Sequence, residues 1–208
     1  MNIKIDPNRF KNVPFLYPTV DVLFQVSFTR AQGDPLKDPE TNIHKYGCRF
    51  MCEMAMCQYV SGRAFTKEGI LQIYHDCVNG NVAPNTLTYN CVVGENEHVM
   101  MKYALQKLGN TKHSIRQVMV KSVNARDEHG NKLGDWDIHK YKQYGLPGPG
   151  NPYFVIVDFN TRSSKDYGGH HFVLFNAIGE LIYDPENGNC HTYSSVNKLL
   201  FYKVFGEK

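Results

Sequence analysis

The 208-residue chain holds a single tryptophan and no apolar run near the ~18 residues that a membrane span requires. Neither charge dominates it. Twenty-three lysines and arginines face 20 aspartates and glutamates, a net +3. That balance supplies no basic stripe for nucleic acid, and Lys102, Lys107, Lys112, Arg116 and Lys121 are scattered as on a solvated face. There is no CxxC pair and no HExxH. Cys48 and Cys52 share one helical face, but no second pair stands ready to complete a zinc site. There is no Gly-rich phosphate loop either, because the prolines of GLPGPGNP do not fit one. Neither a metal nor an organic cofactor is expected. The opening MNIKIDPNRF lacks an apolar core and a small-residue cleavage pattern, so the expected location is the cytoplasm, with reduced thiols; non-classical export stays open. Repeats and low-complexity tracts are absent.

What is present suits one domain spanning residues 1–208. Hydrophobic residues make up 42% and charged residues 21%, enough for a core without disulfide staples. Residues 1–40 are rich in proline and read as an irregular arm, with one strand expected where Val22, Phe24, Val26 and Phe28 alternate. Residues 41–110 read as helical. The stretch from Tyr46 to Val60 places Cys48, Met51, Cys52, Ala55 and Tyr59 on one stripe. A second helix is predicted from Lys67 to Val78, capped by Thr66 and stopped by Asn79-Gly80, and a third from Glu95 to Leu108. Residues 111–208 turn to strand pattern. Strands are predicted over Arg116–Val123 and Tyr153–Phe159, and a hairpin over His171–Asn176 and Glu180–Tyr183. The tail from Val196 to Phe205 fits a final strand or a packed helix. Helices first and strands second argue for an α+β domain.

Six cysteines and nine histidines are the compositional surplus. One thiol stands apart. Cys48 opens a helix after Tyr46-Gly47, where free N–H groups and the positive end of the backbone dipole favour a thiolate nucleophile. Cys52, Cys57, Cys77, Cys91 and Cys190 read as packing residues. Gly168-Gly169-His170-His171 leads into the apolar strand FVLF, and an imidazole at a strand mouth suits a general base. Alternation sends His170 and His171 to opposite faces, so only one of them can face Cys48. Asp184, in YDPENG, ends the next strand of the hairpin. Antiparallel pairing would bring it to the histidine, to orient the ring.

Cysteine on a helix start, histidine on a strand and aspartate one strand later resemble the papain-like cysteine peptidases. The likeness is nearest to the bacterial branch of bacteriocin-leader-processing peptidases, over residues 42–190. The matching residues are Cys48 in YGCRFMC, His171 in GGHHFVLF, directly before the apolar run, and Asp184 in LIYDPENG. The resemblance implies a papain-like fold, with N-terminal helices packed on a C-terminal antiparallel sheet. It also implies a thiol hydrolase with Cys48, His171 and Asp184 as catalytic triad, acting on a peptide or other amide substrate. Oligomeric state is not implied. Where the family has an oxyanion-hole glutamine this chain has Asn42, which carries the same amide on a shorter stem. Where glycine commonly follows the nucleophile it has Arg49, whose bulk narrows the cleft or whose charge reads an acidic substrate group. Two alternatives stand beside the peptidase: a cell-wall amidase, and a catalytically inactive binding module on the same fold.

Overall fold

The computed structural model describes residues 23–29, 38–122, 153–161, 170–176, 181–186 and 193–206. Within them the chain is α+β, with helices before strands. A 3-10 turn over Gln25–Ser27 is followed by α1 (Pro39–Tyr46), α2 (Cys48–Ser61), α3 (Lys67–Val78) and α4 (Glu97–Lys107). Then come β1 (His113–Ser122), β2 (Tyr153–Thr161), β3 (His170–Asn176), β4 (Leu181–Tyr183) and β5 (Tyr193–Gly206). The five strands form one antiparallel sheet in the order β1-β5-β2-β3-β4.

Local chemistry sets the helix ends. Asp38 caps α1 by accepting from the Thr41 N–H at 3.2 Å, and Pro39 occupies the first turn, where no N–H is needed. Thr66 caps α3 as its sequence suggests, accepting from the Gly69 N–H at 3.1 Å. Helix α2 ends on Gly62 in the left-handed conformation, φ 69°. Between α1 and α2 lies Gly47. A β-carbon there would meet the Ile43 carbonyl oxygen at 2.5 Å, so no other residue fits this close passage.

Twelve of the fourteen residues of α2 are buried, which makes it the central helix. Phe50, Met51, Met54, Ala55 and Cys57 pack with α3, α4 and one face of the sheet. Phe154, Ile156, Leu174, Leu200 and Tyr202 supply that face. The pleat sends Val155, Val157, Val173, Leu199 and Phe201 to the opposite face, where they form a second apolar cluster. Burying each of these side chains contributes about 1.5–3 kcal/mol.

Two elements differ from the sequence reading. The alternating stretch around Val22–Phe28 is not a strand where it is described. Its backbone turns, with Ser27 N–H on the Phe24 carbonyl and Phe28 N–H on the Gln25 carbonyl. Helix α1 falls partly in the arm that was read as irregular, because its residues, PETNIHKY, carry little apolar pattern. Helix α2 and β5 settle open points: the helix starts at Cys48 itself, and the tail is a strand that pairs with both β1 and β2. The 124–152 connection and the 177–179 turn lie outside the described residues.

A buried ionic network pins α2 to the sheet. The Arg49 guanidinium bonds Glu53 Oε1 at 3.1 Å, Tyr202 Oη at 3.2 Å and the Glu97 carboxylate. Tyr202 in β5 in turn reaches Glu53 Oε1 at 3.1 Å. Two carboxylates thus share one guanidinium. Burial pushes the Glu53 carboxyl up to about 8; Arg49 pulls against this and Glu97 adds to it. The folded chain therefore holds a proton there that the unfolded chain releases near 4.5. The stability tied to that proton is fully present below 4.5 and is lost as pH rises through about 8. A Glu53→Gln protein keeps the shape without the titration. Thermal melts at about pH 5 and about pH 9 are expected to show the wild type losing stability relative to Glu53→Gln at the higher pH.

Candidate active site

The sheet and the central helix meet at three side chains. Cys48 is the first residue of α2, His171 the second of β3, and Asp184 follows directly on β4. His171 Nε2 lies 2.9 Å from Asp184 Oδ1, with the imidazole 2% exposed and the carboxylate 8%. The Cys48 side chain hydrogen-bonds the same imidazole. One ring thus bridges the thiol and the carboxylate, as the sequence reading anticipates for these three positions.

Asp184 is itself held. Its Oδ1 also accepts from the Glu186 N–H at 3.0 Å, an Asp turn closed on its own backbone. Just before it, the Ile182 carbonyl accepts from Tyr59 of α2 at 3.0 Å. Cys52 anchors the same helix to β3, donating to the Phe172 carbonyl at 3.5 Å. These bonds tie the two flanks of His171 together.

The electrostatics follow from burial and these partners. Desolvation alone would drive the His171 pKa down. The hydrogen bonds to Asp184 and Cys48 overcome it and push the group up to about 10. The imidazole therefore keeps its proton through neutral pH. Folding gains stability from that proton below 6.5 and loses it as pH rises toward about 10. Burial pushes Cys77 up to about 12 and Cys52, Cys57 and Cys91 well above the ordinary range. They are core residues, as expected from their positions. Cys190 lies outside the described residues.

His170 takes a separate partner. Its Nδ1 lies 3.0 Å from Asp158 Oδ1, and Asn197 also donates to Asp158, at 2.7 Å. Of the two histidines, His171 is the one joined to Cys48 and Asp184.

Asn42 sits on α1, buried. Its Nδ2 donates to Tyr74 Oη at 3.1 Å, and Tyr74 passes its own proton to the Tyr89 carbonyl at 2.5 Å. That relay fixes the amide orientation and occupies one of the two amide hydrogens. Oδ1 has no partner among the described residues. Arg49 does not present a free charge to a ligand. Glu53, Glu97 and Tyr202 surround its guanidinium, which corrects the reading of it as a reader of acidic substrates.

Sequence reasoning missed Glu53, Glu97 and Tyr202 as partners of Arg49. One local signal was present: Arg49 and Glu53 are four apart and are the only charged residues of the helix. Among the described residues no three histidine, cysteine, aspartate or glutamate side chains gather to hold a metal ion. No described helix is long and apolar enough to cross a membrane.

An Asp184→Asn substitution removes the carboxylate and keeps the shape. NMR titration of the His171 imidazole is expected to show a midpoint far above 6.5 in the wild type and a marked fall in the variant. Comparison of the chain with protein-family models, with curated proteins and with solved structures finds no match.

Proposed function

We propose that the chain is a thiol hydrolase of papain-like architecture, a cysteine peptidase or amidase that cleaves an amide bond through an acyl-enzyme. One observation carries this reading: a single buried imidazole is bonded on one side to a thiol at a helix start and on the other to a carboxylate. That arrangement is costly to bury without a use, and it holds the parts of a nucleophile, its base and the base's orienter.

The chemistry runs as follows. Cys48 acts as a thiolate paired with the protonated His171 and attacks the carbonyl carbon. Asp184 holds the imidazolium in place through Nε2. His171 gives its proton to the leaving amine as the C–N bond breaks. Water, deprotonated by the same imidazole, then attacks the thioester and releases the acid. The oxyanion is met by the Cys48 backbone N–H at the start of α2. Asn42 contributes through the second hydrogen of its amide, the first being engaged by Tyr74. The substrate is a peptide or another amide, such as an isopeptide or a cell-wall crosslink. No step calls for a metal or an organic cofactor.

Iodoacetamide near neutral pH tests the nucleophile. Cys48 is expected to alkylate ahead of Cys52, Cys57, Cys77 and Cys91, as read by peptide mass mapping. Labelling without preference among these thiols removes the reading. Once an amide substrate is found, Cys48→Ala is expected to abolish turnover. Asn42→Ala is expected to cost less than the ~10²–10³ of a full oxyanion donor.

A further inference from the structure

The hydrogen-bond ladder of α1 runs up to Gly47, whose N–H bonds the Ile43 carbonyl at 2.9 Å. Continued by one residue, the ladder would put the Cys48 N–H on the His44 carbonyl. It does not continue. Gly47 has φ −80° and ψ 7°, and a ψ so far from the helical value of about −42° turns the next peptide away. The Cys48 N–H has no backbone acceptor among the described residues, and the next ladder bond seen is Met51 N–H to the Gly47 carbonyl.

The vacated His44 carbonyl is not left bare. Gln25, from the arm some twenty residues upstream, donates its Nε2 to it at 2.7 Å. Gln25 is 0% exposed, so this amide has no competing water. Its Oε1 finds no partner among the described residues, a penalty the chain accepts at a buried position. The same residue's backbone N–H bonds the Pro185 carbonyl at 2.8 Å, in the turn that carries Asp184. Its neighbours bind there too. Phe24 stacks on Tyr183 at 5.8 Å between ring centroids, and Tyr183 Oη donates to the Leu23 carbonyl at 2.8 Å.

We infer that Gln25 is a positioning residue for the oxyanion hole: by occupying the His44 carbonyl it keeps the Cys48 N–H free for the substrate oxygen, while its backbone clasps the Asp184 turn to the same spot. This rests on the thiol-hydrolase reading and adds to it a part for the N-terminal arm. Without the Gln25 amide, the His44 carbonyl is a half-buried acceptor lacking its donor, and the Cys48 N–H is the nearest ladder donor to fill it. A bond spent there is one the oxyanion loses.

Two reactions of Cys48 separate this role from general support of the fold. Alkylation by iodoacetamide displaces iodide and develops no oxyanion. Addition to an aldehyde does. The sulfur bonds the carbonyl carbon, the π pair moves to oxygen, and the oxygen takes a proton to give a hemithioacetal. N-acetylglycinal is the probe, and its affinity is read as protection of Cys48 from iodoacetamide. In Gln25→Met, which keeps the bulk and drops the amide, aldehyde affinity is expected to fall roughly tenfold or more beyond any fall in alkylation rate. Equal falls in the two, or no fall, overturn the inference. So does a wild type that alkylates selectively at Cys48 yet binds no aldehyde. A wild type without selective alkylation instead removes the hydrolase reading itself. Should Gln25→Met fail to fold, wild-type hydrogen exchange decides: the Cys48 amide is expected to exchange well ahead of the bonded Met51 amide, and equal protection overturns the proposal.

Discussion

Helix α2 has almost no side left to water, and most of the polar side chains it carries are bonded to groups around it. The pairing is what fixes its pose. Arg49 is answered by Glu53, Glu97 and Tyr202. Gln58 accepts from the Phe65 N–H at 2.7 Å, and Tyr59 reaches the Ile182 carbonyl. The bonds to Glu97, Phe65, Ile182 and Tyr202 tie α2 to four different neighbours: α4, the chain before α3, β4 and β5. An unpaired charge there would cost several kcal/mol, so the helix cannot slide or roll by much. Its first residue is Cys48, and that thiol inherits the rigidity of the whole assembly.

The same constraint explains where His171 can work. A buried imidazole left alone sheds its proton. Bonded on both sides, it keeps the proton across neutral pH. The sheet supplies the ring and the carboxylate, and the helix supplies the sulfur. The hydrolase we propose therefore depends on the packing between two layers more than on any one residue. The arm that opens the chain contributes at this seam. Its described segment touches the Asp184 turn through Gln25 and Tyr183, and the end of α1 through His44.

Much of this was legible beforehand, and the parts that were not share a cause. Cys48, His171 and Asp184 could be picked out because each sits at an element end that local chemistry announces: a glycine before a helix, paired glycines before a strand, an Asp-Pro after one. Thr66 and Asn79-Gly80 marked α3 for the same reason. Helix α1 was missed because its stability comes from Asp38, Pro39 and contacts made by Ile43, not from an apolar stripe. The arm's alternating Phe24, Val26 and Phe28 suggested a strand, yet Val26 points to solvent while Phe28 is buried under α1 and α3. Its backbone donors and acceptors are spent on a local turn and on distant partners instead of on a ladder.

By itself, the sequence determined the order of helices and strands, the ends of α3, which thiol opens a helix and which pair of histidines opens a strand. These are decided within a few residues, by caps, glycines and the two side-chain periods. Only the tertiary structure decided that His171 and not His170 meets the sulfur, that Arg49 is spent on Glu53 and Glu97, and that Gln25 fills the His44 carbonyl. Each of these joins groups far apart in the chain. Such pairs are set by the need to satisfy every buried charge and every buried backbone group at once, and no local pattern encodes that sum.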